Sequence, residues 1–139
     1  MSLQGNKDVV QRIIDLLNES KREQAKELYT DDFSNHDPGA PEVTTREGLI
    51  QTFAVWWTGF PDAHTTIDDM IAEGDQVAKR WTFRGTQTGE FQGIPPTGKS
   101  IAMTGITIYR FAGGKVAECW WNYDTMGAMQ QLGVIPPMG

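Results

Sequence analysis

Residues 101–124 read "IAMTGITIYRFAGGKVAECWWNYD", and their pattern decides the fold. Apolar and polar residues alternate on both sides of Ala112-Gly113-Gly114-Lys115. Period two around a Gly-Gly turn specifies an antiparallel hairpin. Towards the N-terminus, "VAKRWTFRGTQTG" (77–89) keeps the same period and is separated from the hairpin by the loop "EFQGIPPTGKS" (90–100). Before it, "HTTIDDMIAE" (64–73) ends in the turn "EGDQ". Strands joined by short Gly turns predict an antiparallel meander.

The flanks have helical period. Val9, Val10, Ile13, Ile14, Leu16 and Leu17 predict an amphipathic helix over about residues 5–18. "KREQAKELY" (21–29) predicts a shorter one, and "TDDFSNHDPGAPEVTT" (30–45), rich in Asp, Pro and Gly, predicts a loop. A third helix follows, capped at Thr44 or Thr45 and stopped by Gly59 and Pro61. "DTMGAMQQLG" (124–133) predicts a last short helix, capped by Asp124 and ended by Gly133. Helices first and strands afterwards give an α+β fold, a curved antiparallel sheet wrapped around N-terminal helices. With no repeat and no dividing linker, residues 1–139 are expected to form a single domain.

The 139 residues carry a net charge of −6, so a phosphate-binding surface of clustered Lys and Arg is not expected. One cysteine, Cys119, excludes an intrachain disulfide and suits a reducing compartment. No apolar run approaches the roughly 18 residues that span a membrane, and no apolar leader opens the sequence. The expected location is the cytoplasm. "TGKS" (97–100) lacks the spacing of a phosphate loop, and the two histidines show no metal-ligand spacing.

The block "MIAEGDQVAKRWTFRGTQTGEFQGIPPTGKSIAMTGITIYRFAGGKVAE" (70–118), followed by "WNYDTMGAMQQLG", resembles the SnoaL-like polyketide cyclases of the NTF2-like superfamily. The first 60 residues fit more loosely, through "DDFSNHDP" and "REGLIQTF". The resemblance implies a cone-shaped α+β barrel with a deep, largely apolar pocket, usually in a homodimer. It also implies an intramolecular aldol ring closure that needs no metal and no organic cofactor. Such a carbon acid asks only for one buried base and a pocket that holds the reacting carbons together. In the family pattern the acid/base carboxylate falls at Trp121 and a pocket histidine at Thr107. Neither residue transfers protons near neutral pH, so the relatives' mechanism does not carry over.

Alternation places Cys119, Trp121 and Tyr123 on one face of the last strand. Met103, Gly105, Thr107 and Tyr109 share the corresponding face of the strand before it, and Trp81, Phe83, Gly85 and Gln87 that of the strand before that. From these, Trp81, Phe83, Met103, Thr107, Tyr109, Trp121 and Tyr123 are the expected ligand-binding residues. Trp121 either stacks on a flat ligand or fills the cavity. The remaining proton-transfer candidates are His36, in the loop "SNHDP", and Asp124, with Tyr123 as an oxyanion donor. Asp124 has a competing role as helix cap, and Asp37 reads as the start of the turn at Pro38. His64 reads as structural or exposed. Trp56 and Trp57 read as helix–sheet packing, and Trp120, on the opposite strand face, as a candidate dimer contact. The leading expectation is cofactor-independent acid/base chemistry (cyclisation, isomerisation or hydrolysis) on an apolar carbonyl compound. The alternatives are a non-catalytic protein that binds a hydrophobic small molecule, and an interaction module.

Overall fold

The computed structural model describes residues 2–136. In chain order it contains α1 (Leu3–Asn18), α2 (Arg22–Lys26), β1 (Tyr29–His36), α3 (Arg46–Gly59), β2 (His64–Glu73), β3 (Gln76–Thr86), β4 (Ser100–Ala112), β5 (Lys115–Tyr123) and α4 (Thr125–Leu132). Each long helix has the start its sequence specifies. Ser2 caps α1 by accepting from Gly5 N at 2.8 Å. Thr45, rather than Thr44, caps α3 by accepting from Gly48 N at 3.1 Å.

Strands β2 to β5 form the expected antiparallel meander. The positive φ angles of Gly74, Gly113 and Gly114 lie in its turns, where a side chain would be strained. The segment expected to be a loop departs from the sequence reading. Tyr29–His36 forms β1, which pairs in parallel with β5 and extends the sheet to the order β1-β5-β4-β3-β2. Its polar residues are tolerated because only Tyr29, Phe33 and Asn35 of this strand are buried. The sheet is curved and not closed, so the barrel is an open cone.

The concave face carries the core. On β4 the burial alternates along the whole strand, with Ile101, Met103, Thr107, Tyr109 and Phe111 inward. α1 lays Val10, Ile13, Ile14 and Leu17 against this face, and α3 adds Leu49 and Trp57. Asn18 anchors the end of α1 to the edge strand β2: its amide donates to Thr65 O at 2.9 Å and accepts from Thr65 N at 2.8 Å. Gly105 leaves room for the Trp81 indole, which lies where a Cβ would stand.

The long β3–β4 loop is held from beneath. Buried Gln87 donates to Ile94 O and Pro95 O at 3.1 and 3.3 Å and accepts from the Thr97 hydroxyl at 2.8 Å. Gln87, placed by alternation on the pocket face, therefore serves the loop instead. Phe91 packs among Trp56 and Phe60.

Candidate functional site

Between the concave sheet face and helices α1 and α3 lies a cavity of about 70 Å³. Its wall is mostly apolar: Ile13, Ile14 and Leu17 of α1, Leu49, Phe53, Trp56 and Trp57 of α3, and Phe83 and Met103 of the sheet. A dry cavity of about 150 Å³ accepts benzene. The space here is about half of that.

Six of the residues expected from alternation line this cavity: Trp81, Phe83, Met103, Tyr109, Trp121 and Tyr123. Thr107 does not. Its hydroxyl is buried and accepts from Trp81 Nε1 at 3.0 Å, so it orients the indole from behind. Trp121 both lines and narrows the space. Its Nε1 donates to Asn35 Oδ1 at 2.8 Å, while the Asn35 amide holds Val43 O at 3.1 Å. Phe53 and Trp81 meet the Trp121 ring edge-on, at centroid distances of 6.0 and 6.2 Å. The indole is consequently fixed in one orientation. Trp56 and Trp57, expected only as packing, also reach the cavity wall.

The two proton-transfer candidates named from the sequence lie outside the cavity lining. Asp124 is exposed and caps α4, accepting from Gly127 N at 2.9 Å. His36 stands on the outer face of the sheet, stacked on Trp120 at 5.4 Å, with Nε2 2.6 Å from Glu118 Oε2. Its hydrogen bond, with that of Arg110, holds the Glu118 carboxyl below the usual range. Parity explains the exchange: in an extended segment His36 and its neighbour Asp37 point to opposite faces. Asp37, read as a turn residue, is the one that lines the cavity.

At the mouth Asp37 is fixed by two donors, Gly39 N at 2.8 Å and the Tyr123 hydroxyl at 2.7 Å. Partial burial, reinforced by the bond to Asp37, raises the Tyr123 phenol above its ordinary value, so it remains a proton donor.

The inner end contains the residue the sequence reading missed. Lys79 is 1% exposed and lines the cavity. Its Nζ lies 5.2 Å from the Tyr109 ring centroid and 5.7 Å from those of Trp81 and Trp121. Burial pushes the amine down to about 7. The nearby Cys119 thiol is itself held protonated by burial and supplies no countercharge. Tyr29 and Tyr109 are likewise kept protonated. Two further cavity-lining groups, the Tyr29 hydroxyl and Trp57 Nε1, are buried without a hydrogen-bond partner among the described residues. A signal for Lys79 was present: it has the same strand parity as Trp81 and Phe83.

The open α+β cone over an apolar cavity is consistent with the NTF2-like fold. The chain belongs to the SnoaL-like polyketide cyclase family, whose description matches residues 7–132. It is 26% identical over 133 residues to aklanonic acid methyl ester cyclase DauD of Streptomyces sp. (strain C5), covering 91% of this chain and 80% of that one. Among solved structures, IdmH of Streptomyces antibioticus, provisionally assigned as a polyketide cyclase, is 32% identical with a TM-score of 0.83. That match covers 92% of this chain and 98% of IdmH. AclR of Streptomyces galilaeus, provisionally assigned as a hydroxylase, has a TM-score of 0.89 at 23% identity, covering 99% and 87% of the two chains, and speaks for the fold alone.

Proposed function

We propose that this family member performs cofactor-independent acid/base chemistry on an apolar carbonyl compound. One observation carries the reading. The apolar cavity has a carboxylate, Asp37, at its mouth, while the unsatisfied polar groups in its wall are donors, Tyr29 and Trp57. A ligand that completes this wall presents an acceptor oxygen and an acidic C–H. Donors directed at an enolate oxygen and a fixed carboxylate are the two elements needed for carbon-acid chemistry. In this reading Asp37 removes the proton, in place of Asp124 or His36. Trp81, Phe83, Met103, Tyr109 and Trp121 contact the ligand, and Tyr123 positions Asp37.

The test is turnover of a panel of β-ketoesters and flat polycyclic ketones by the wild type and by Asp37→Asn. The expected loss in kcat/KM is about 10²-fold or more, the ordinary contribution of a positioned base. Undiminished turnover by Asp37→Asn would sink the assignment. The alternative, a hydrophobic small-molecule-binding protein, draws support from Trp121. A rigid indole stands where the family pattern has its acid, and saturable binding without turnover across the panel would favour that version.

The outer sheet face supports a homodimer. Ile71, Ala78, Ile108 and Trp120 are paired in register across four strands, and Ile71 and Ile108 are 65% and 38% exposed. Such a row suits a second copy of the chain. A monomeric mass by light scattering at micromolar concentration would contradict it. The lone cysteine favours the cytoplasm, and among the described residues no helix is long and apolar enough to cross a membrane.

A further inference from the structure

Lys79 has no counterpart in the acid/base scheme, yet it is a lysine buried to 1% exposure in the cavity wall. Lysine is rarely buried completely unless paired. Here the ammonium has neither a hydrogen bond nor an ion pair among the described residues, and three aromatic rings surround it. The elements around the cavity supply no carboxylate at this inner end. β1 contributes Tyr29, β4 Tyr109 and β5 Cys119, all kept uncharged by burial. The lining residues of α1 and α3 carry no charge, and β2 contributes Thr65. Asp37 is at the mouth.

We propose that Lys79 is a carbonyl-capturing amine, whose Nζ at the inner end of the cavity condenses with one ketone of a bound 1,3-dicarbonyl ligand. The proposal rests on the reading of the cavity as a site for carbonyl compounds and names the ligand class more narrowly. A desolvated lysine in an apolar pocket is a nucleophile at neutral pH. With its folded-state value at about 7, roughly half the amine is free at pH 7, against about one part in 2,500 for an ordinary lysine.

The step balances without an external oxidant or reductant. The nitrogen lone pair attacks the carbonyl carbon, a C–N bond forms, and the oxygen collects the proton that the nitrogen sheds. A second proton, for which the unpartnered Tyr29 hydroxyl is the candidate donor, lets that oxygen leave as water. Loss of a proton from the carbon between the carbonyls restores the donor and leaves a conjugated enaminone.

The test treats the whole chain with pentane-2,4-dione at pH 7. The near-ultraviolet enaminone band is followed, and the modified residue is located by peptide mass spectrometry. The expected result is one saturable adduct at Lys79, formed at a rate that rises with pH through a midpoint near 7 and levels off above about pH 8. Lys79→Met and Lys79→Arg should each abolish the band. An unmodified Lys79, or a rate that climbs steadily towards pH 10, overturns the proposal. The adduct does not depend on turnover. Capture at Lys79 in a protein inactive on the ketoester panel upholds this inference and sinks the acid/base reading, whereas turnover with Lys79 unmodified does the reverse.

Discussion

The two ends of the cavity are built on opposite principles. At the mouth, Asp37 and Tyr123 satisfy each other at 2.7 Å, and Gly39 N completes the carboxylate's shell. At the inner end, Lys79 Nζ meets three aromatic rings, and the Tyr29 hydroxyl has no hydrogen-bond partner among the described residues. A folded chain pays heavily for unanswered buried polar groups, so stability alone does not account for those that face the cavity. The mouth can be understood as structure as well as chemistry, whereas the inner end is where the proposed ligand would find its partners.

The sharpest way to break that contrast is to remove the residue that narrows the space between the ends. Trp121→Ala should cost about 3–5 kcal/mol, the range for deleting a large buried aromatic, and it leaves Asn35 Oδ1 without its donor. The same change enlarges the cavity, so flat ketones too large for the wild type should bind more tightly. Denaturant unfolding and fluorescence titration, using the remaining tryptophans, measure the two effects. If stability falls and ligand affinity does not rise, Trp121 is only a core residue, and the cavity ends where it stands.

Lys79→Met should have the opposite sign. A folded-state amine at about 7, against about 10.5 unfolded, costs the folded state on the order of 5 kcal/mol when protonated. An apolar side chain of similar length should therefore raise unfolding free energy at pH 6 by about 3 kcal/mol. Because the folded value lies below the unfolded one, the unfolded chain binds the extra proton between them. Wild-type stability should rise with pH from about 7, and below 7 the penalty should be constant. Above roughly pH 8.5 the trend is opposed, because Cys119 and the buried tyrosines stay protonated in the folded chain and ionise in the unfolded one. Thermal melts from pH 6 to 8.5 should thus slope upward for the wild type and lie flat for Lys79→Met. A flat wild-type profile would mean that the amine is solvated and the inner end is not what the geometry indicates.

The sequence made the two ends unequally visible. Period two identified four strands, and strand parity placed Trp81, Phe83, Met103, Tyr109, Trp121 and Tyr123 on the face that lines the cavity. Parity is a local property and survives folding. Lys79 has the same parity, but a lysine on a strand is ordinarily read as solvent-facing, and only the closure of α1 and α3 over the sheet removes it from water. β1 escaped for a related reason. "YTDDFSNH" carries the composition of a loop, and it is a strand because β5 offers a parallel edge, a long-range fact without a local signature. The loop reading of β1 also shaped the reading of the mouth. Read as a loop, "SNHDP" has no alternation, so His36 was preferred for its titration range over Asp37, the neighbour facing the cavity.

Tyr123→Phe tests whether the mouth is as self-satisfied as its distances suggest. Removing a hydrogen bond to a partly exposed carboxylate should cost about 1 kcal/mol. Turnover should fall if Tyr123 positions Asp37. A loss confined to kcat with KM unchanged would show that the pair acts in the transition state rather than in ligand binding.

The smallest effect should come from Asp124, and it sets the scale for the others. Its carboxylate is exposed, bonded to Gly127 N at 2.9 Å, and absent from the cavity lining. Asp124→Ala should therefore lower stability by about 0.5–1 kcal/mol, the contribution of a helix cap, and Asp124→Asn should lower it less, since asparagine caps nearly as well. Neither should change turnover, the pentane-2,4-dione adduct or ligand affinity. A large drop in turnover for Asp124→Asn, in a protein of unaltered melting temperature, would move the proton transfer from the cavity's mouth to the β5–α4 junction. The asymmetry between the two ends would then lose its functional meaning, because the working carboxylate would lie outside the cavity that both ends define.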